Sequence, residues 1–320
     1  MGDEGQGERG RGGGRRGGEG NGRALGQKLG HIFVPFPVVR NAPVRSPALP
    51  RKTSLGPLRF SRCGEWLKIH RAVSKDPECR RVQWGSDKGD TRNPHCTGEL
   101  MKIGIIGAGN IGGNLTRRLT ALGHEVSVAN SRGPETLAAL AEETGATPVT
   151  VAQAARGAEV VVVTVPLKNV PDLPAGLFDG AAEGFAVIDT GNYYPRERDG
   201  RIPGIEDEGL TESRWTESHL GHPVVKAFNG TYAVDILERH RPAGAPDRMA
   251  LPVAGDDEAA KKTVRALIDE LGFDTVDAGG IDDSWRQQPD TPVYGLRAGV
   301  DAVTKALAEA SPERPAAFRG

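Results

Sequence analysis

The segment Met101–Leu115, with the sequence MKIGIIGAGNIGGNL, constrains the fold of this chain more than any other. Its first part, Lys102–Ile106, is a short apolar, β-branched run, which is typical of a parallel strand buried on both faces. Gly107, Gly109 and Gly112 follow in the spacing G-x-G-x-x-G. Between a strand and a helix, such glycines allow a tight turn, the approach of a pyrophosphate and close helix packing. Because the helix start adds free N–H groups and a positive dipole end, the sequence predicts a dinucleotide site here.

Further strand-like segments alternate with helical patterns after this turn. The opening helix is predicted from Ile111 to Leu122, with Gly123 as its C-terminal stop. Strands are predicted at His124–Ala129, Thr147–Thr150, Glu159–Val165, Phe185–Asp189 and Pro223–Phe228. Alternating strands and helices of this kind predict an α/β protein with a Rossmann-type doubly wound parallel sheet.

The C-terminal part is predicted to form a small αβ extension of this fold. Its predicted elements are the strand Ala250–Ala254, the amphipathic helix Asp257–Leu271, the strand Phe273–Asp277 and a last helix Ala298–Ala310. Residues 311–320 are expected to fray. We therefore predict three parts: an N-terminal extension at 1–100, a nucleotide-binding domain at 101–230, and a C-terminal region at 231–320 that completes the substrate site.

The end of the second predicted strand indicates which dinucleotide the fold binds. In NAD-binding folds of this type, an Asp or Glu at this point accepts the ribose hydroxyls. Here the sequence is Ala129-Asn130-Ser131-Arg132, which contains no carboxylate. Ser131 can donate to a 2′-phosphate and Arg132 can pair with it, whereas an acid would repel it. We therefore predict NADP rather than NAD, with a solvated turn arginine as the simpler alternative.

Three strand ends offer polar side chains for the nicotinamide half of the cofactor. Ligands of doubly wound sheets lie beyond the carboxyl ends of the strands. The predicted strand ends carry Thr164, Asn192, Lys226 and Asn229. We take Thr164, Asn192 and Asn229 as the candidate catalytic residues, and each of them also suits a loop cap or a turn.

The first hundred residues differ in character from the rest of the chain. They carry 19 Lys and Arg against 10 Asp and Glu, while the remainder carries 22 against 32. Residues 1–22 are about half glycine and cannot bury enough apolar surface to offset chain entropy, so we predict a disordered extension. All three cysteines lie in residues 1–100, which excludes thiol chemistry from the predicted nucleotide and substrate regions. We favour Met101 as the natural start, with the upstream start wrongly assigned.

Three functional alternatives compete with a plain extension in residues 1–100. The Arg/Gly stretch suits nucleic acid binding but lacks interleaved aromatic residues. Cys63, Cys79, His95 and Cys96 could bind zinc, yet the spacing C-x-x-C is not present. A targeting peptide needs an apolar core beside a small-residue cleavage site, which is missing. We therefore predict no nucleic acid partner, and no membrane span because the sequence holds no run of about 20 apolar residues.

Several short stretches of the chain together resemble one known family. They are Gly107-Ala-Gly-Asn-Ile-Gly112, Asn130-Ser-Arg132, the strand end Val165-Pro166, Lys226-Ala-Phe-Asn229, and a later region from Pro252-Val-Ala-Gly-Asp-Asp-Glu258 to Gly279. Over about residues 101–300 the chain resembles the F420-dependent NADP oxidoreductases. The glycine motif alone is shared by many dehydrogenases, whereas the Asn-Ser-Arg and Ala-Gly-Asp-Asp stretches restrict the resemblance to this family.

The resemblance implies a cofactor, a reaction and a set of binding residues. In that family an NADP-binding Rossmann domain carries a small C-terminal αβ layer, the enzymes are often dimers, and hydride passes between nicotinamide C4 and a deazaflavin. The phosphate turn corresponds to residues 108–111 and the 2′-phosphate pair to Ser131 and Arg132. The full set of predicted cofactor contacts is Gly107, Ala108, Gly109, Asn110, Ile111, Gly112, Ser131, Arg132, Val165, Pro166 and Ala227.

Two departures from the family leave the second substrate open. A basic residue that some members carry after the 2′-phosphate pair is absent, since Thr136 and Leu137 stand there. The segment Tyr193–Leu220 is also longer than the family core requires. We expect a cytoplasmic homodimer that transfers a hydride between NADP(H) and a small-molecule acceptor, either F420 as co-substrate or a similar compound. The alternatives are an NADPH-binding sensor without turnover and an NADPH-dependent flavin, metal or carbonyl reductase.

Overall fold

The computed structural model describes residues 99–320. Its strands are β1 Lys102–Ile106, β2 Glu125–Ala129, β3 Thr147–Pro148, β4 Val160–Val163, β5 Ala186–Asp189, β6 Val225–Lys226, β7 Ala250–Val253 and β8 Asp274–Asp277. The first six form one parallel sheet in the order β3-β2-β1-β4-β5-β6. This is the strand order of a doubly wound Rossmann sheet, so the predicted fold class is confirmed.

Helices connect these strands, as parallel pairing requires. The α-helices in the described part are α1 Asn110–Leu122, α2 Ala138–Thr144, α3 Pro203–Glu206, α4 Glu212–Leu220, α5 Ala233–Glu238, α6 Glu258–Glu270 and α7 Val300–Ala308. α1 starts directly after the glycine turn and ends at Gly123, whose backbone is left-handed with φ 100°. The predicted start and stop of this helix are therefore correct to within one residue.

Both faces of the central strands are buried, as their unbroken apolar sequences predict. All four valines of β4 are buried. Ile103 and Ile105 of β1 pack with Leu115 of α1 on one face of the sheet. Ile106 packs with Leu177 on the other face. The sheet is therefore covered on both sides, and its carboxyl edge is left to carry the loops that follow the strands.

The C-terminal segment adds a small parallel sheet to the edge of the larger one. β7 pairs with β8, and residues of α6 such as Val264 and Leu267 join the core beneath β5. An antiparallel bridge joins Lys226 of β6 to Ala254, with N–H to O distances of 2.8 and 3.1 Å. The predicted αβ extension is therefore present and continues the core of the main sheet.

Two predictions of local structure are wrong. The strands β3 and β6 are only two residues long, because each pairs with its sheet neighbour over just two residues. Residues 311–320 are not a frayed end, since Arg314 pairs with the buried carboxylate of Glu212 at 2.8 Å. A short 3₁₀ turn, Ala316–Phe318, follows this contact. A carboxylate buried this deeply requires cationic partners, and the C-terminal segment supplies one of them.

Several predictions lie outside the described residues. These are the disordered extension, the nucleic acid and zinc alternatives and the targeting peptide, all of which fall on residues 1–98. The domain limits at residues 101 and 231 stay predictions. Within residues 99–320, none of the helices combines the length and the apolar character needed to cross a membrane.

Candidate functional site

The glycine turn between β1 and α1 has the geometry of a phosphate-binding turn. Gly107 has φ 110°, which residues with a side chain rarely adopt. A Cβ at Gly112 would collide with the Gly107 carbonyl and lie 2.7 Å from Cγ2 of Thr164. A Cβ at Gly109, in contrast, would meet nothing within 4 Å. The second glycine therefore faces open space at the position where a dinucleotide backbone passes in this fold.

The start of α1 has hydrogen-bond donors for a bound anion. The first backbone bond of the helix runs from Gly113 N–H to the Gly109 carbonyl at 2.8 Å. The N–H groups that precede it have no partner within the helix. The first turn of α1 contains no acidic residue that would offset the positive end of the helix dipole. This helix start therefore suits a phosphate group.

The turn after β2 is shaped by the side chain of Asn130. Its Oδ1 accepts a hydrogen bond from Arg132 N–H at 2.9 Å, and its Nδ2 donates to Thr136 Oγ1 at 2.9 Å. A side-chain bond to the backbone two residues on fixes an Asx turn. Ser131 and Arg132 are exposed at its tip, and within residues 99–320 Arg132 forms no ion pair. Its guanidinium is therefore available to an anion.

A cleft of about 690 Å³ joins these two turns. Ala108, Gly109 and Asn110 line it from the glycine turn, and Arg132 lines it from the turn after β2. Apolar side chains, including Leu140, supply other parts of the wall. The cleft thus combines backbone donors for a pyrophosphate, a cation for a 2′-phosphate and apolar surface for a base. The residues present fit NADP.

Two of the predicted catalytic residues, Asn192 and Asn229, lie together at the carboxyl ends of β5 and β6. Asn229 Nδ2 donates to Asn192 Oδ1 at 3.1 Å, and Asn192 Nδ2 donates to the Asn229 carbonyl at 2.8 Å. Gln287 Nε2 donates to Asn229 Oδ1 at 3.0 Å. Phe228 has φ 63°, a left-handed conformation that bulky residues rarely adopt. Hydrogen bonds and a strained backbone therefore fix this asparagine pair.

The remaining predicted residues occupy other positions around the strand ends. Thr164, Val165 and Pro166 follow β4 and are partly exposed. The methyl group of Thr164 faces the glycine turn, because it would contact a Cβ built at Gly107 or Gly112. Ala227 is fully buried, and its N–H donates to the Asp189 carbonyl at 3.2 Å.

Lys226 lies in a buried ionic network. Its ammonium is 2.7 Å from the Gly191 carbonyl, 3.3 Å from the Glu212 carboxylate and 3.7 Å from the Asp189 carboxylate. Ser213 donates to the same Asp189 carboxylate at 2.6 Å. Only 1% of Lys226 is exposed. Its ammonium therefore supports the loop after β5 and is not one of the groups that face solvent.

Two residues of this region were not found by sequence reasoning. Gln287 follows Asn229 by 58 residues, and a lone glutamine in a loop belongs to no motif. Arg117 lines the cleft, and its guanidinium is held by Glu143 through two bonds of 2.8 Å. Its position seven residues after Asn110 on α1 is the signal that could have found it, because residues at this spacing share one helix face.

Comparison with protein families gives a match over residues 102–193. The family is described as NADP oxidoreductase, coenzyme F420-dependent. The matched residues run from β1 past the end of β5. They include the glycine turn, the turn after β2 and Asn192, whereas Asn229 and Gln287 lie outside the match.

Individual relatives show how far the likeness extends. Over 53 residues the chain is 49% identical to the protein YjhV of Escherichia coli (strain K12), which covers 17% of this chain and 39% of that protein. The chain spans well under half the length of the curated relatives it matches. The solved structure of hypothetical protein SMa0349 from Sinorhizobium meliloti is 29% identical with a TM-score of 0.54, and the match covers 63% of this chain and 97% of that chain.

A further solved structure comes from Arthrobacter sp. FB24 and carries the provisional name F420-dependent NADP-reductase. It is 26% identical with a TM-score of 0.46, and the match covers 57% of this chain and 86% of that chain. The strand order, the glycine turn and the family match agree with one another. Residues 102–193 are therefore similar to the NADP oxidoreductases that are described as coenzyme F420-dependent.

Proposed function

We propose that this chain is an NADP(H)-dependent oxidoreductase that transfers a hydride between NADPH and the deazaflavin F420. The proposal is carried by the cleft, which is lined both by the open glycine turn at Gly109 and by the exposed Arg132. The description of the family supports F420 as the acceptor. The same family resemblance leads us to propose a homodimer, which light scattering of the purified chain would test.

The residues of the chain act in this proposal by binding and orienting. The N–H groups at the start of α1 hold the pyrophosphate, and Ser131 and Arg132 hold the 2′-phosphate. Thr164 and the Asn192–Asn229 pair orient the nicotinamide at the strand ends. The bound cofactor supplies the hydride. Such a transfer depends on two rings held at near contact more than on a strong acid or base, which agrees with an amide-lined site.

The test is NADPH oxidation by the full chain, followed by nicotinamide absorbance, with F420, FMN and a ferric chelate offered separately. Turnover with F420 supports the proposal. Turnover with FMN or the ferric chelate alone contradicts F420 as the acceptor. NADPH binding without turnover on any acceptor contradicts the enzyme and favours a sensor. Gly109→Val, purified in the same way, is the control, and its activity at low NADPH concentration is expected to fall with its weaker cofactor binding.

A further inference from the structure

A second cavity, of about 480 Å³, opens near the carboxyl ends of β5 and β6. Tyr194 contributes one wall and follows the end of β5 by five residues. Tyr294 contributes another wall. The segment that carries Tyr294 is held to the end of β6, because Gly295 N–H donates to the Gly230 carbonyl at 3.0 Å. Gly230 is the residue directly after Asn229. The cavity therefore lies at the same sheet edge as the asparagine pair, where ligands of this fold bind.

The lining of this cavity suits a flat ring. Pro289, Pro292 and Phe318 contribute apolar surface beside the two tyrosines. Phe318 belongs to the C-terminal turn that the Arg314–Glu212 ion pair anchors. Proline and phenylalanine side chains present flat apolar faces, and planar ligands are held in this way in protein pockets.

The hydroxyl groups of Tyr194 and Tyr294 are hydrogen-bonded to each other although the residues lie 100 positions apart in sequence. One phenol donates this bond, so the hydrogen of the other remains free to bond elsewhere. Within the part of the chain that the structure describes, neither hydroxyl has another hydrogen-bond partner. Burial raises the pKa of both phenols above the usual tyrosine value, so both stay protonated at neutral pH. The pair therefore offers one hydrogen-bond donor to an occupant of the cavity.

We propose that this cavity is the acceptor site, and that Tyr194 and Tyr294 donate a hydrogen bond to a planar conjugated acceptor that contains a ring carbonyl or ring nitrogen. The inference rests on the proposed hydride transfer and deepens it. In that step the C–H bond of the dihydronicotinamide breaks, and the hydride forms a C–H bond on a deazaflavin ring or an N–H bond on a flavin ring. The electron pair displaced within the ring moves to its conjugated oxygen or nitrogen, which becomes anionic until water protonates it.

The donor pair favours this step because a hydrogen bond to a developing anion strengthens as the charge grows. The acceptor class follows from the same chemistry. Deazaflavins and flavins have a ring that accepts a hydride and conjugated carbonyls that take up the charge. A ferric chelate takes one electron at a metal and gives this donor nothing to stabilise, so its reduction does not depend on the pair.

The test removes the hydroxyls and keeps the rings, with Tyr194→Phe, Tyr294→Phe and the double variant. The control is Tyr232→Phe, because this tyrosine is exposed and lies outside the cavity. We expect kcat with F420 or FMN to fall about 10²-fold in the double variant, the usual scale for losing a donor to a developing anion. NADPH affinity, measured by fluorescence titration, is expected to remain unchanged in all four variants, as is kcat in the control.

A second readout needs no turnover. Oxidised FMN, followed by its own fluorescence, is titrated into the full chain without NADPH, and its dissociation constant is expected to rise about two- to tenfold in the double variant. A double variant that keeps both kcat and FMN affinity overturns the donor pair. Should this double variant unfold, the same comparison is made with a second variant that lacks both hydroxyls, Tyr194→Phe combined with Tyr294→Met, because a single replacement would leave one free phenol hydrogen. A wild-type chain that binds NADPH and reduces no acceptor overturns the proposed function instead, and the FMN titration still decides whether the tyrosines bind a ring.

Discussion

Replacing Gly109 by valine separates cofactor binding from folding in this chain. The residue is the N-cap of α1 with φ −77°, a conformation that L-amino acids adopt without strain. A Cβ there meets nothing within 4 Å, so the side chain has room in the free protein. Valine is a poorer N-cap than glycine, and we expect the free energy of unfolding to fall by only about 1 kcal/mol. The same side chain would fill the space that a pyrophosphate requires.

The matched variant is Gly112→Val, three residues further along. Its Cβ would collide with the Gly107 carbonyl and lie 2.7 Å from Cγ2 of Thr164, and the contact with a backbone atom cannot be relieved by rotating a side chain. Overpacking of this kind costs about 1–3 kcal/mol, and more where the backbone itself must move. We therefore expect Gly112→Val to lose stability and Gly109→Val to lose binding.

Two measurements distinguish these outcomes. Urea unfolding gives the free energy of unfolding for each variant, and fluorescence titration gives the NADPH dissociation constant. We expect Gly109→Val to unfold close to wild type and to bind NADPH at least about 100-fold more weakly, since both the backbone contacts and the charge-assisted bonds to the pyrophosphate are lost. A Gly109→Val chain that folds and binds NADPH as wild type does would refute a cofactor path across this turn.

Three further predictions concern other parts of the site. Arg132→Ala should weaken the binding of NADPH by about 2 kcal/mol, or roughly 30-fold, and the binding of NADH hardly at all. Equal losses of affinity in titrations with the two cofactors would contradict a 2′-phosphate contact, and so would a similar loss of NADPH affinity in the exposed control Arg265→Ala. Lys226→Met should lower the free energy of unfolding by about 3–5 kcal/mol, because it leaves buried carboxylates without their partner; urea unfolding measures this, and an unchanged midpoint would refute it. The pKa values of Tyr194 and Tyr294 are raised in the folded state, so their contribution to stability is complete below about pH 10 and is lost as the pH rises through the folded pKa values. The urea midpoint should therefore fall more steeply above pH 10 in wild type than in the double phenylalanine variant, and parallel curves would contradict the raised values.

Local sequence was sufficient for the sheet and the glycine turn. The run of four valines in β4 and the G-x-G-x-x-G spacing are read within one short segment, and their structural meaning depends little on the rest of the chain. The lengths of β3 and β6 were not predictable in this way, because a strand ends where its neighbour stops pairing. In β6, Lys226 bonds to Ala254 across the small-sheet junction, which no pattern around residue 226 reveals.

The candidate site was likewise predictable from local sequence only in part. We identified Asn192 and Asn229 as candidates because ligands lie at the carboxyl ends of parallel strands. The structure places these two residues in contact. Their third partner, Gln287, comes from a loop 58 residues away and carries no recognisable signal. Tyr194 and Tyr294 are separated by 100 residues, so their pairing depends on how the C-terminal segment folds back over β6.

Lys226 shows why a residue type at a strand end does not define its role. A lysine at this position suits an ammonium directed at a ligand, and it equally suits a buried cation that holds two carboxylates. The choice depends on Asp189, Glu212 and the C-terminal Arg314, which approach one another only in the folded chain. Because buried charges are tolerated only with such partners, the network couples the loop after β5 to the C-terminal turn that carries Phe318. The orientation of one wall of the proposed acceptor site is therefore tied to the ionic network beneath the asparagine pair.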